Sequence, residues 1–232
     1  MTAAIEIRDL AKSFTLHNQG GIRLSVLDGF DLEVHEGECV ALHGPSGIGK
    51  STVLRCIYAN YRTDRGRILV RHRDGSVDMA SAHPREVLAV RGETIGYVSQ
   101  FLRVVPRVAA EDVVAEPLRS RGANREGAAK AARGMLQCLN IPAALHRLAP
   151  ATFSGGEQQR VNLARVFVAD YPVLLLDEPT ASLDRENREV AVGLIRAAVG
   201  RGAAVVGIFH DSRVRDAVAN RTVQLSAMRE AA

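Results

Sequence analysis

The stretch Cys39-Val40-Ala41-Leu42-His43-Gly44-Pro45-Ser46-Gly47-Ile48-Gly49-Lys50-Ser51 decides the architecture. It begins as a short apolar run that stops at a glycine, as a buried strand does. Gly44 to Ser51 then match the pattern G-x-x-x-x-G-K-[ST]. From Lys50 to Asn60 the period changes, placing Val53, Leu54, Ile57 and Tyr58 on one helical face. Strand, glycine-rich turn and helix in that order make a phosphate cradle. Glycines let the backbone curl until its N–H groups converge, and the helix N-terminus adds partial positive charge. Gly44, Pro45, Ser46, Gly47, Ile48, Gly49, Lys50, Ser51 and Thr52 are therefore candidate nucleotide-binding residues. Lys50 can reach the β- and γ-phosphates of ATP, and the Ser51 hydroxyl can ligate Mg²⁺.

Outward from this stretch, strands and helices alternate. Ile5, Ile7, Phe14 and Leu16 alternate with polar residues, and Ile22–Leu27 resumes extended structure after the turn cluster 17–21, predicting an N-terminal hairpin. Arg67–Arg71 and Ile95–Ser99 read as strands. Residues 72–94 read as loop with a short helix near Pro84–Val90. The block 108–148 is rich in Ala, Leu, Glu and Arg and reads as a helical subdomain. Helix is expected over Glu157–Asp170 and 185–200, with buried strands at Val173–Asp177 and Ala203–Phe209. This alternation around a helical insert predicts an α/β fold with a parallel sheet, one domain spanning 1–232 and a helical subdomain inserted at about 101–165.

Composition removes several function classes. The chain has 232 residues, with 30 Lys+Arg against 26 Asp+Glu and both signs scattered, which gives no basic stripe for nucleic acid. Aromatics make up 4% and tryptophan is absent, so stacking platforms for single strands lack material. No apolar run approaches the ~20 residues that span a bilayer. The early charges in Met-Thr-Ala-Ala-Ile-Glu-Ile-Arg-Asp interrupt any signal-peptide core. Three cysteines (Cys39, Cys56, Cys138) without a C-x-x-C pair fit a reducing compartment and buried or half-buried positions. A cytoplasmic globular protein is expected.

Two further strings carry chemistry. Val173-Leu174-Leu175-Leu176-Asp177-Glu178 is an apolar strand ending in paired carboxylates. Asp177 is the metal-side candidate, and Glu178 the candidate base for an attacking water. Phe153-Ser154-Gly155-Gly156-Glu157-Gln158-Gln159-Arg160 opens a helix with a second anion-binding nest, at Ser154, Gly155 and Gly156. Together with the cradle, this string resembles the signature of the ATP-binding-cassette ATPases, which reads Leu-Ser-Gly-Gly-Gln. Phe153 keeps an apolar anchor, whereas Glu157 places charge near phosphate.

The resemblance implies a P-loop NTPase fold with a RecA-like parallel sheet, an N-terminal antiparallel β subdomain and a family-specific helical subdomain. It implies ATP and Mg²⁺ as cofactors, held between the cradle of one subunit and the Ser-Gly-Gly helix of another. Gln100 matches the family position that senses Mg²⁺ and the attacking water. Asp184, in Ser182-Leu183-Asp184, matches the loop that couples the two sites, and alone would read as a helix N-cap. His210 matches the switch histidine at the γ-phosphate. Phe14 is the candidate aromatic that stacks on adenine.

Within the family, the interval 101–153 is too short for a coiled-coil arm, and a single cradle with a single signature excludes double-cassette translation factors. Longer strings resemble the PhnL-type subunit of the phosphonate carbon–phosphorus lyase system. Among them are Tyr58-Ala59-Asn60-Tyr61, Ser99-Gln100-Phe101-Leu102-Arg103-Val104, Asp170-Tyr171-Pro172 and Gly207-Ile208-Phe209-His210-Asp211. That likeness implies work with other lyase subunits, in a homodimer or paired with a second cassette subunit, during formation of ribose 1-phosphonate 5-triphosphate. The alternative is the ATPase of an importer or lipoprotein-release transporter, whose membrane permease would dock near Gln100–Pro117.

Overall fold

The computed structural model describes residues 3–16, 20–100 and 106–225. Parts of the expected turn at 17–21 and of the segment after Gln100 lie outside the described residues.

Two sheets share the work of positioning. The first is antiparallel, ordered β2-β1-β4-β5, with β1 Ala3–Leu16, β2 Ile22–His35, β4 Arg65–His72 and β5 Gly75–Asp78. Its long hairpin pairs Leu16 with Ile22 and Ile7 with Leu32. The second is parallel, ordered β6-β7-β8-β3-β9, with β3 Cys39–His43, β6 Ile95–Val98, β7 Val173–Asp177, β8 Ala204–Ile208 and β9 Arg221–Gln224. Strand β7 is buried along its whole length because both its faces are covered. Leu174 and Leu176 join a core with the helical block, whereas Val173 and Leu175 join one with the antiparallel sheet.

The helices are α1 Lys50–Ile57, α2 Pro84–Glu93, α3 Ala110–Ser120, α4 Arg125–Cys138, α5 Gly155–Phe167, α6 Arg185–Gly200 and α7 Ser212–Val218. Capping sets their starts. Helix α5 begins earlier than the apolar period suggests because Ser154 caps it, and Asp184 caps α6 through Asn187 N at 2.8 Å. At the end of α3, Arg121 donates to the Gly92, Glu93 and Asp170 carbonyls and lies 4.0 Å from the Tyr171 ring centroid. It pegs the helical block to the α/β core.

Two expectations need correction. Residues 72–94 contain strand β5, polar and short, which forms because its edge pairs with β4 through Val77–Val70. Cys138 is exposed on α4, whereas Cys39 and Cys56 are buried as expected. On the surface of the antiparallel sheet, Arg65 bridges Asp9 and Asp28, and Arg73 meets Glu93.

Candidate functional site

In a parallel sheet, side chains for ligand chemistry gather beyond the strand C-termini. Register brings four such ends together here, since Asp177 pairs with Ile208, Ala41 with Gly207, and Val98 with Leu176. The turn after β3, the carboxylates ending β7, Gln100 after β6 and His210 after β8 therefore share one edge.

The turn 44–49 is shaped by φ values no ordinary side chain adopts readily. At Gly49 φ is +107°, and a Cβ there would stand 2.8 Å from Val26 Cγ1. Gly49 is also the N-cap of α1, without a side-chain cap and without an acidic residue in the first turn. The leading N–H groups of α1 are thus left for an anion. Lys50 Nζ donates to the Gly44 and Pro45 carbonyls at 2.7 and 2.8 Å, which holds the ammonium across the turn. Pro45, Ser46 and Gly47 are exposed; Ile48, Ser51 and Thr52 are half-buried.

Ser51 Oγ donates to Asp177 Oδ1 at 2.9 Å. Asp177 is 1% exposed, and burial pushes its carboxyl above the usual range against the pull of the Ser51 bond. These are hard oxygen donors of the kind Mg²⁺ selects, and two protein ligands leave the remaining positions to phosphate and water. Among the described residues no cluster of three or more His, Cys, Asp or Glu forms a protein-only metal cage.

Next along the chain, Glu178 adopts φ +54°, an uncommon conformation for a non-glycine residue and one that collects at functional sites. Its backbone N–H donates to Ile208 O at 3.1 Å. Its two carboxylate oxygens are shared: His210 Nε2 lies 2.6 Å from Oε1, and Gln100 Nε2 donates to Oε2 at 3.3 Å. The structure therefore brings Lys50, Ser51, Gln100, Asp177, Glu178 and His210 to one edge.

A second group forms elsewhere. Ser154 caps α5 by a reciprocal box: Glu157 Oε2 accepts from Ser154 N at 2.9 Å and from Ser154 Oγ at 2.7 Å. That bonding holds the Glu157 carboxyl below its usual range. Its charge thus sits on the cap, beside the Ser154–Gly156 nest. Gly156 lies against Ser182 O, and Gln159 Nε2 donates to Pro179 O at 3.0 Å. The Ser154–Gly156 nest and Asp184 thus belong to one packed unit. Asp184 sits below its usual range because Asn187 donates to it. Phe14, on β1, meets Tyr61 edge-on at 5.1 Å, with Lys12 Nζ 4.9 Å from its ring centroid.

Sequence reading passed over two residues in contact with this edge. Tyr97 Oη donates to Asp177 Oδ2 at 3.3 Å, and the Arg55 guanidinium lies near Tyr97. Neither belongs to a motif; the available signal was the pairing register of β6 with β7.

A family model described as ABC transporter matches residues 27–181. The chain belongs to that family. It is an ABC ATPase, and its relatives agree on the cassette. It is 36% identical over 228 residues to the lipoprotein-releasing system ATP-binding protein LolD of Geobacter metallireducens, covering 97% of this chain and 96% of that one. It is 37% identical over 208 residues to the uncharacterised ABC transporter ATP-binding protein Rv0073 of Mycobacterium tuberculosis; the match takes in 89% of this chain but 61% of that protein's length. The ATP-binding cassette MJ0796, solved as a dimer in a post-hydrolysis state with ADP and Pi, superposes with a TM-score of 0.86 at 28% identity, over 96% and 94% of the two chains. The ABC ATPase described here has no helix, among the described residues, long and apolar enough to cross a membrane.

Proposed function

We propose that this ABC ATPase hydrolyses Mg²⁺-bound ATP as a head-to-tail dimer with two composite sites. The observation that carries the reading is Glu178, set at the cradle edge with both carboxylate oxygens oriented by His210 and Gln100. Residues 44–52 bind the phosphates, and Lys50 turns from its carbonyls to the β- and γ-oxygens. Phe14 stacks on adenine. Ser51 and Asp177, with Gln100 nearby, would hold Mg²⁺, which would offset charge on the triphosphate. Glu178 accepts a proton from water as that water bonds to the γ-phosphorus. The bond to the bridging oxygen breaks, leaving ADP and inorganic phosphate. His210 donates toward the γ-phosphate.

The Ser154, Gly155 and Gly156 nest completes the site of the opposite subunit, and Asp184 couples the two. The order of this unit supports the reading: its helix start is already capped and packed on the loop that carries Asp184. Ser154→Arg tests it. Nucleotide binding by the single chain is expected to persist while hydrolysis stops, and an unchanged rate overturns the trans arrangement.

For the cellular role we infer a cytoplasmic, single-cassette subunit of the phosphonate carbon–phosphorus lyase system. Hydrolysis would drive assembly or rearrangement of that complex while ribose 1-phosphonate 5-triphosphate is made from ATP and a phosphonate. Support comes from the strings 58–61, 99–104, 170–172 and 207–211, which extend beyond the general cassette residues Gln100 and His210. A second reading, the ATPase of a lipoprotein-release transporter, is favoured by the 36% identity to LolD over nearly both chains. Pull-down from phosphate-starved cells grown on a phosphonate separates the two. Recovery of lyase subunits supports the first, and recovery of a membrane permease replaces it with the second.

A further inference from the structure

Behind the cradle lies a polar relay to which the ATPase reading gives no task. Asp177 has both carboxylate oxygens engaged, Oδ1 by Ser51 at 2.9 Å and Oδ2 by Tyr97 at 3.3 Å. Tyr97 comes from the adjacent strand, paired with Leu175. Its ring packs on Tyr58 with centroids 5.0 Å apart, so its position is set independently of the hydroxyl. Arg55, on α1, holds its guanidinium near the Tyr97 hydroxyl and donates through Nη1 to Tyr61 Oη at 2.8 Å. An ionised carboxylate can only accept. The single Tyr97 hydrogen is therefore directed to Asp177, away from the Arg55 cation.

The two bonds to Asp177 engage different oxygens. The Ser51 hydroxyl can offer an oxygen lone pair to the cation while its hydrogen stays on Oδ1. The Tyr97 bond uses the other oxygen and can persist. We propose that Tyr97 is a positioning residue for the cation site, pinning Asp177 so that Oδ1 faces Ser51 before the nucleotide arrives. This rests on the Mg²⁺-ATP reading above. Tyr97 acts through Asp177, and Arg55 acts on Tyr97 in turn by keeping the hydroxyl from rotating away. An unpinned carboxylate at this depth would sample other rotamers, and binding would then have to reorder it.

Tyr97→Phe removes one oxygen and keeps the ring on Tyr58. Mn²⁺ is titrated into protein saturated with a non-hydrolysable ATP analogue, with free Mn²⁺ read by electron paramagnetic resonance. The Mn²⁺ Kd is expected to rise about tenfold, the scale of one hydrogen bond to a charged group. Nucleotide affinity in excess chelator and the thermal midpoint should match the parent, and kcat at saturating Mg²⁺ should fall less than cation affinity does. A parental Mn²⁺ Kd overturns the proposal, as does an equal loss of metal-free nucleotide binding, which would mark a merely structural tyrosine. Should Tyr97→Phe fail to fold, Arg55→Met is expected to raise the Mn²⁺ Kd at least threefold, and a parental value there overturns the proposal. A parent that binds nucleotide without any response to Mn²⁺ would instead sink the Mg²⁺-ATP reading itself.

Discussion

Replacing Glu178 by glutamine removes a base and little else. The amide fills the same volume, and its oxygen can still accept from His210 Nε2, now 2.6 Å from Oε1. The cost to folding is small. The Glu178 side chain is 18% exposed but its partner is 59% exposed, so solvent screens the pair and its loss is worth under about 1 kcal/mol. The cost to chemistry is larger. A positioned general base contributes about 10²–10⁴-fold, or about 2.7–5.4 kcal/mol of barrier. Phosphate release at saturating ATP and Mg²⁺ should therefore drop by at least two decades, with a thermal midpoint close to the parent. Because binding is spared and turnover is not, size-exclusion chromatography in ATP should show the variant accumulating as a nucleotide-loaded dimer. Turnover at the parental rate, or a loss of ATP binding as large as the loss of rate, refutes the assignment.

Lys50→Ala should weaken ATP binding more than 100-fold in equilibrium dialysis, since the ammonium now resting on the Gly44 and Pro45 carbonyls is the one cation of the cradle sequence 44–51. Gly66→Ala should destabilise the fold by about 3 kcal/mol in urea, because φ is +97° and the new Cβ would stand 2.4 Å from Asp9 O, a backbone atom that cannot rotate away. Burial pushes the Cys39 thiol up to about 12 and Cys56 up to about 11. Their contribution is complete below the ordinary thiol range and lost as pH rises to 11–12. The unfolding free energy from urea titration should fall above pH ~9 by about 1.4 kcal/mol per thiol per pH unit, and a flat profile would contradict the burial. At pH 8, a thiol reagent should label Cys138 rapidly and the other two only after unfolding.

What could be read from sequence was what depends on few neighbouring residues. The cradle 44–51 and the apolar strand ending in Asp177-Glu178 carry their geometry within a dozen positions, so both were legible. Strand β5, Gly75–Asp78, was not, because its polar residues become a strand only by pairing with β4. Strand β9 and helix α7 gave no period strong enough to read. The partner of Glu157 was hidden for a related reason: a carboxylate three residues after a serine can face solvent or its own helix start, and the capping box decides. The left-handed backbone of Glu178 and the hand of Tyr97 on Asp177 arise between strands distant in sequence.

The capping box at Ser154 has a further consequence for the proposed dimer. Its hydroxyl has one hydrogen to give, and Glu157 already holds it. A neighbour's triphosphate can take that hydrogen only by trading places with a carboxylate, one anion for another. Such a trade gains little on engagement and gives up little on parting. The joint between subunits would then come undone easily once the terminal phosphate is cleaved, which is what a machine that must reset on every cycle requires.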